Sequence, residues 1–198
     1  MEAFANHRQS TSLCSRCHTK TPAFDTVTAL WEYDDAVADA IRRIKYGRDL
    51  PALRALCRRA HHWFHDTVDA LPGDGPIVPV PSHRNSLRKR GFHVPSLTLR
   101  YLRAAECRRV SHRLTKTVDT PRQAGLSFDE RYDNTRGVFA YRGPAPTTQS
   151  AIVFDDVLTT GATADAAAGA LREAGYQAIA VVALARAPAP RKPHRRRS

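Results

Sequence analysis

Residues 151–163 read Ala-Ile-Val-Phe-Asp-Asp-Val-Leu-Thr-Thr-Gly-Ala-Thr and carry the densest chemistry in the chain. An apolar run, Ala151 to Phe154, leads into two carboxylates, Asp155 and Asp156. A turn through Thr159, Thr160, Gly161, Ala162 and Thr163 then opens an alanine-rich segment. Such a turn suits a phosphorylated sugar. Backbone N–H groups at a helix N-terminus hold phosphate without a cation, a glycine lets the backbone approach closely, and threonine hydroxyls add donors. The carboxylates, one short loop away, are placed to accept hydrogen bonds from vicinal hydroxyls. An acid-ended strand before a threonine-capped helix is also ordinary strand-to-helix chemistry. Strand, diacid, glycine turn and helix in this order are far more specific.

A second group of residues complements the first. Val78-Pro-Val-Pro-Ser-His-Arg84 is followed by Leu87-Arg-Lys-Arg-Gly-Phe92. Ser82, His83 and Arg84 set a hydroxyl, an imidazole and a guanidinium at the end of a short apolar strand, where a pyrophosphate could lie. Arginine suits bidentate phosphate contact. Alone, this run reads as a solvated basic loop; beside the diacid it reads as half of an anion site.

The elements that must hold these groups follow from periodicity. Ala36, Val37, Ala40, Ile41 and Ile44 recur at helical spacing, with Gly47 as the residue past the helix end. Asp49 caps a second helix with Pro51 near its start and Leu53, Leu56, Ala60, Trp63, Phe64 and Val68 on its apolar face. Ile77 to Val80 is a short strand, Ser82 to Gly91 a basic loop, and a helix carrying Leu97, Tyr101 and Leu102 follows. Val110 to Leu114 and Arg136 to Tyr141 read as strands around a polar stretch, 115–135. A strand at 151–155, a helix at 163–174 and a strand at Ile179 to Ala185 complete the alternation. Residues 1–30 show no sustained periodicity. The order predicts an α/β fold, a mostly parallel sheet flanked by helices, whose ligands sit beyond the carboxyl ends of its strands.

With 198 residues the chain is long enough for one full α/β core. No apolar run approaches a membrane span, and the first residues lack the layout of a secretory signal, so a cytoplasmic protein is expected. The net charge of +12 is unevenly placed. Residues 84–113 hold nine Arg or Lys against Glu106, and the tail 187–198 adds five with no acid. Two basic zones on a near-neutral body suggest polyanion partners, pyrophosphate or nucleic acid; the tail reads equally as a disordered, solubilising end. The aromatics are too scattered to announce a stacking platform. His61, His62 and His65 read as a solvated helix face rather than a metal site, and Cys57 and Cys107 as buried core thiols.

Taken together, these motifs resemble ComF-type proteins, phosphoribosyltransferase-like proteins associated with competence and DNA uptake. The diacid turn looks like the phosphoribosyl-pyrophosphate (PRPP) signature of type I phosphoribosyltransferases. The resemblance runs from Tyr33, Lys45-Tyr46 and Asp49 through Val78-Pro-Val-Pro81 and Arg90-Gly-Phe92. It continues through Gln123-Ala-Gly-Leu126, Arg131, Asn134 and Gly137-Val-Phe139 to Asp155–Thr163. It implies a type I phosphoribosyltransferase-like fold with a mobile loop, 115–135, over the site. Three regions follow: an N-terminal cysteine-bearing remnant (1–30), the phosphoribosyltransferase-like domain (31–186) and a basic tail (187–198).

The resemblance also implies chemistry. Mg²⁺-PRPP would lay its 5-phosphate on Thr159–Thr163, its ribose hydroxyls on Asp155 and Asp156, and its pyrophosphate near Ser82, His83 and Arg84. Transfer of the phosphoribosyl group to a nitrogenous acceptor would release pyrophosphate. The alternative is a non-catalytic PRPP-sensing or single-stranded-DNA-binding protein of DNA uptake, contacting DNA through residues 84–113 and the tail. Two departures stand out. The family continues Arg-Gly-Phe with Asn-Gln, where this chain has His93-Val94. Relatives also carry a four-cysteine zinc module, of which only Cys14 and Cys17 are present, so Zn²⁺ is a doubtful ligand here. The acceptor base and the number of subunits are not written in these motifs.

Overall fold

The computed structural model describes residues 21–82, 84–117 and 137–187. Its centre is a four-stranded sheet in the order β1-β6-β5-β2, in which every pairing is parallel. The strands are β1 (Thr26–Glu32), β2 (Ile77–Pro79), β5 (Ser150–Leu158) and β6 (Ala178–Arg186). A single parallel bridge, Ile77 to Val110, lies at the free edge of β2. Parallel sheets are covered on both faces, which explains the near-continuous apolar runs of β5 and β6. Side chains alternate across each strand. Ile152 and Phe154 face one core with Val182 and Leu184, whereas Ala151 and Val153 face the other with Val181 and Ala183.

The first core is roofed by α1 (Asp35–Gly47), α2 (Leu50–Ala70) and α4 (Val94–Tyr101). Asp34 starts α1 by accepting the Val37 N–H at 2.9 Å, and Asp49 starts α2 through the Ala52 N–H at 2.9 Å. Phe64 of α2 meets Phe154 of β5 edge to face, with ring centroids 5.8 Å apart. This contact fixes the strand immediately before the diacid. The second core lies under α5 (Ala162–Glu173), whose small alanines let it sit close to the sheet. Beside α5 runs an antiparallel pair, β3 (Leu114–Lys116) and β4 (Phe139–Tyr141).

At the N-terminal side the chain is clasped to α5. The Ala23 N–H donates to Asp165 in the first turn of that helix, at 2.6 Å. At its other end Arg172 donates to the Ala23 carbonyl at 2.9 Å and to Asp25 at 2.7 Å.

Several expectations need correction. The basic run after Ser82 is not a loop throughout: Arg84–Arg90 forms a short helix, α3, because Asn-Ser-Leu-Arg-Lys-Arg carries no strong breaker until Gly91. Gly91 ends it with φ 83 and an N–H to the Leu87 carbonyl at 2.8 Å. Gly47 is the last residue of α1, and Arg48 takes the left-handed conformation beyond it, with φ 54. Its guanidinium donates to the Lys89 carbonyl at 2.7 Å, tying the end of α1 to α3. The strand expected at 110–114 is displaced to β3, with Val110 making only an isolated bridge to Ile77, and the one expected at 136–141 is shortened to β4. β1 was announced by no periodicity, since its residues are mostly half-buried rather than alternating. His61 and His65 are not a solvated face: their rings point to the Leu102 carbonyl at 3.2 and 2.9 Å, packing α2 against the end of α4. Cys57 is buried, as expected, and burial pushes its thiol up to about 12; Cys107 is only half-buried.

Candidate functional site

β5 does not stop at Phe154. It runs on to Leu158, so Asp155 and Asp156 lie within the last turn of pleat rather than in a following loop. The hydrogen-bond ladder with β6 continues through Asp155 and Val157 to Leu158, which makes the diacid a rigid element rather than a loop feature. Asp156 is 5% exposed. Its Oδ1 accepts a hydrogen bond from Lys45 Nζ at 2.9 Å. Its Oδ2 lies 2.8 Å from the same nitrogen but without a directed hydrogen bond.

Lys45 reaches the diacid because Ile41 and Ile44 anchor the last turn of α1 in the core beneath the strand. Burial opposes its charge, yet attraction and hydrogen bonding to Asp156 outweigh this and raise its pKa. Asp155 is in the opposite position. Burial first, and then the neighbouring Asp156 carboxylate, push it from 3.8 up to about 8, against the pull of Lys45. Its Oδ1 accepts the Asp156 N–H at 2.8 Å, which folds the side chain back along the strand.

A cavity of about 210 Å³ opens at this strand end. Lys45, Ser82, Ser86, Arg90, Asp155, Asp156 and Thr163 supply its polar wall, with Val80, Pro81, Pro95 and Val157 between them. The fold therefore brings together Ser82, Asp155, Asp156 and Thr163 from segments far apart in the sequence. Arg84, Thr159, Thr160, Gly161 and Ala162 are not on this wall. His83, Cys14 and Cys17 lie outside the described residues, as do Gln123, Arg131, Asn134 and the tail. Gly161 caps α5 at φ 78, a conformation that favours glycine, and a Cβ there would meet nothing within 4 Å. Thr160 Oγ1 accepts the Ala162 N–H at 3.3 Å.

Three contributors were given no role at the site by sequence reasoning, Lys45, Ser86 and His93, whereas Arg90 lies in the basic run read there as part of an anion site. Lys45 belongs to the resemblance, but nothing in its spacing pairs it with a residue 111 positions away. His93 caps α4, with Nδ1 accepting the Ser96 N–H at 3.3 Å and lying 2.6 Å from Ser96 Oγ. Its Nε2 is 3.1 Å from the Ser82 N–H and 3.0 Å from the Val80 carbonyl. With Nδ1 accepting, the neutral ring carries its proton on Nε2 and donates it to the Val80 carbonyl; the Ser82 amide is engaged only when that proton moves to Nδ1. Burial lowers the pKa of His93, against the Val80 carbonyl, and so favours the neutral ring.

Among the described residues no group of three or more His, Cys, Asp or Glu converges in a way that could hold a metal ion by itself, and no helix is long and apolar enough to cross a membrane. No protein-family model matches the chain. Individual relatives do. Competence protein F of Haemophilus influenzae is 27% identical over 180 residues, covering 88% of this chain and 78% of the relative. DNA utilization protein YhgH of Escherichia coli K12 is 30% identical over 178 residues, covering 87% of this chain and 77% of the relative. The chain belongs to this ComF/YhgH family. The Salmonella typhi YhgH is 27% identical over 179 residues. Membership extends across nearly all of the fold described above, so the diacid pocket sits within the shared body of the family rather than in an appendage.

Proposed function

We propose that this ComF-family protein serves DNA uptake or utilisation as a PRPP-binding sensor that also contacts single-stranded DNA, and that the diacid pocket is its ligand site. The observation that carries the reading is the convergence of Asp155, Asp156, Ser82 and Thr163 with two cations, Lys45 and Arg90, at one strand end. A phosphorylated sugar needs both kinds of partner: carboxylates for its hydroxyls and cations and hydroxyls for its phosphates. Mg²⁺ carried by the pyrophosphate fits the same wall, because it prefers hard oxygen donors and keeps some of its waters. Asp156 is ion-paired with Lys45, so a metal reaching its carboxylate would compete with that ammonium. The fold would then be of the type I phosphoribosyltransferase kind.

The relatives support the DNA-uptake side of this reading: their names speak of competence and of DNA utilization, not of group transfer.

Single-stranded DNA would be held outside the pocket. Arg84, Arg88 and Lys89 of α3 are exposed, as is the Tyr46 ring, at 72%. Tyr46 is two residues from Arg48, the side chain that ties α1 to α3. An exposed aromatic beside cations is the usual pairing for unpaired bases and their phosphates.

Phosphoribosyl transfer remains the second reading, favoured by Asp155. A carboxyl pushed up to about 8 exchanges protons near neutral pH, as the attack of an N–H acceptor on the ribose C1 with departure of pyrophosphate requires.

Calorimetry decides between them. Mg²⁺-PRPP binds the wild-type chain and not Asp156→Asn, and no nucleobase added to the complex releases pyrophosphate. Binding unchanged in Asp156→Asn removes the site; pyrophosphate release replaces the sensor with the transferase.

A further inference from the structure

The first turn of α4 borders a second cavity, of about 510 Å³, that shares no wall residue with the diacid pocket. Leu99 and Ala104, both buried, form its floor, with Phe92, Leu97 and Val110 around them. His93, Ser96 and His112 give it one polar side. Exposed Arg100 and Arg103 stand at its mouth. We propose that this cavity is a binding site for a nucleoside monophosphate, with the base on the apolar floor, its polar edge toward Ser96 and His112, and the phosphate on Arg100 and Arg103.

Each feature restricts the ligand class. The volume lies in the range of small-molecule sites, which are mostly apolar with a few placed polar groups. A wholly apolar ligand would make no use of Ser96 and His112 or of the two mouth guanidinium groups, of which Arg103 is held by Glu106. An inorganic anion would leave the floor unfilled. A flat heterocycle carrying one phosphate uses both, since arginine takes phosphate oxygens in pairs. The mouth is also built rather than incidental. Arg103 adopts the left-handed backbone conformation, φ 57, which arginine rarely takes, and its guanidinium is ion-paired with Glu106. It opens the short 3₁₀ turn Ala104–Glu106 that supplies the cavity with Ala104 and Ala105. The Arg100 guanidinium rests 5.6 Å from the centre of the Tyr101 ring.

The site is distinct from the phosphoribosyl reading and does not rest on it, yet the two are wired together. Ser96 Oγ lies 3.3 Å from His112 Nδ1 and 2.6 Å from His93 Nδ1. The other nitrogen of His93 contends for the Ser82 N–H. A nucleotide that draws on Ser96 therefore acts on the same imidazole that governs the diacid pocket's amide.

Calorimetry of the full chain with AMP, adenosine and ribose 5-phosphate tests the proposal. AMP binds one to one, and adenosine and ribose 5-phosphate each bind about tenfold or more weaker, as expected when a charge-assisted contact or an apolar surface is lost. Arg100→Glu weakens AMP by at least about tenfold, and Ala105→Trp abolishes binding by closing the mouth. Both positions are exposed, and an unchanged unfolding midpoint shows that each variant is folded; should the tryptophan variant misfold, Arg100→Glu alone decides. Asp156→Asn leaves AMP binding unchanged. The proposal is overturned if AMP does not bind at millimolar concentration, or if both mouth variants bind it normally. It is equally overturned if Asp156→Asn abolishes binding, which moves the nucleotide to the diacid pocket, or if an oligonucleotide binds at the mouth while the free monophosphate does not.

Discussion

The Lys45 ammonium lies within 2.9 Å of both carboxylate oxygens of Asp156, across 111 residues of sequence. It joins the last turn of α1 to the strand that carries the diacid, and it places a cation where a ligand's own Mg²⁺ would be attracted.

Replacing that cation separates its two effects. Lys45→Met leaves Asp156 buried without its counter-charge, so the protein loses about 1–3 kcal/mol of stability, below the value for a fully buried pair because Lys45 is 23% exposed. Urea unfolding measures this. Calorimetry with Mn²⁺ alone should show tighter metal binding in the same variant, since the metal no longer competes with the ammonium. Equal Mn²⁺ affinity in wild type and variant would show that Lys45 does not stand in for the cation.

Asp155 makes stability depend on pH with a definite sign. Its folded-state pKa is raised from 3.8 to about 8, so the folded protein binds the extra proton and the unfolded chain does not. Its contribution is complete below about pH 4 and falls as pH rises through about 8. Asp155→Asn should flatten that segment of the stability profile, with the wild type losing more than the variant between pH 5 and 8. Parallel profiles would mean that the carboxyl is ionised throughout.

Tyr46 and α3 form the test of DNA contact. Tyr46→Ala should weaken single-stranded DNA binding by about 1–3 kcal/mol, the range for loss of one stacked base. Joint replacement of Arg88 and Lys89 by Ala should instead lower the salt dependence, by about 0.7 in slope for each phosphate contact removed. Fluorescence anisotropy over a salt series reads both. Neither change should alter PRPP binding, because none of these three residues lines the pocket.

Phe64 supports the site from a distance. Phe64→Ala should cost about 3–5 kcal/mol of stability, since the ring is fully buried against Phe154. PRPP binding should fall with it, because the next residue of the strand is Asp155. Phe64→Leu, which keeps most of the volume, should restore binding.

The legible part of this molecule is the part written in local pattern. The apolar strand, the diacid and the glycine turn are contiguous, so their order alone marks a candidate site, and the structure opens a pocket against Asp155, Asp156 and Thr163. The first long helix is marked by the spacing of Ala36 to Ile44 and the second by Asp49 and Pro51, whose capping chemistry acts within one turn. What stayed hidden depends on contacts between distant segments. Lys45 meets Asp156 only because α1 lies across the strand end. His93 reaches Ser82 only because α4 begins beside β2. β1 owes its existence to pairing with β6, and α3 looked like a loop because its charges mask a helix too short for periodicity to show.

The clasp at Ala23 joins the start of the sheet to both ends of the helix that follows the diacid turn. The Ala23 amide is held by Asp165, two residues beyond Thr163 of the pocket wall, and its carbonyl by Arg172 in the last turn of the same helix. α5 thus grips the chain like a two-point lever arm whose fulcrum is the sheet. Any displacement of the first turn of α5 would therefore act directly on the backbone at Ala23.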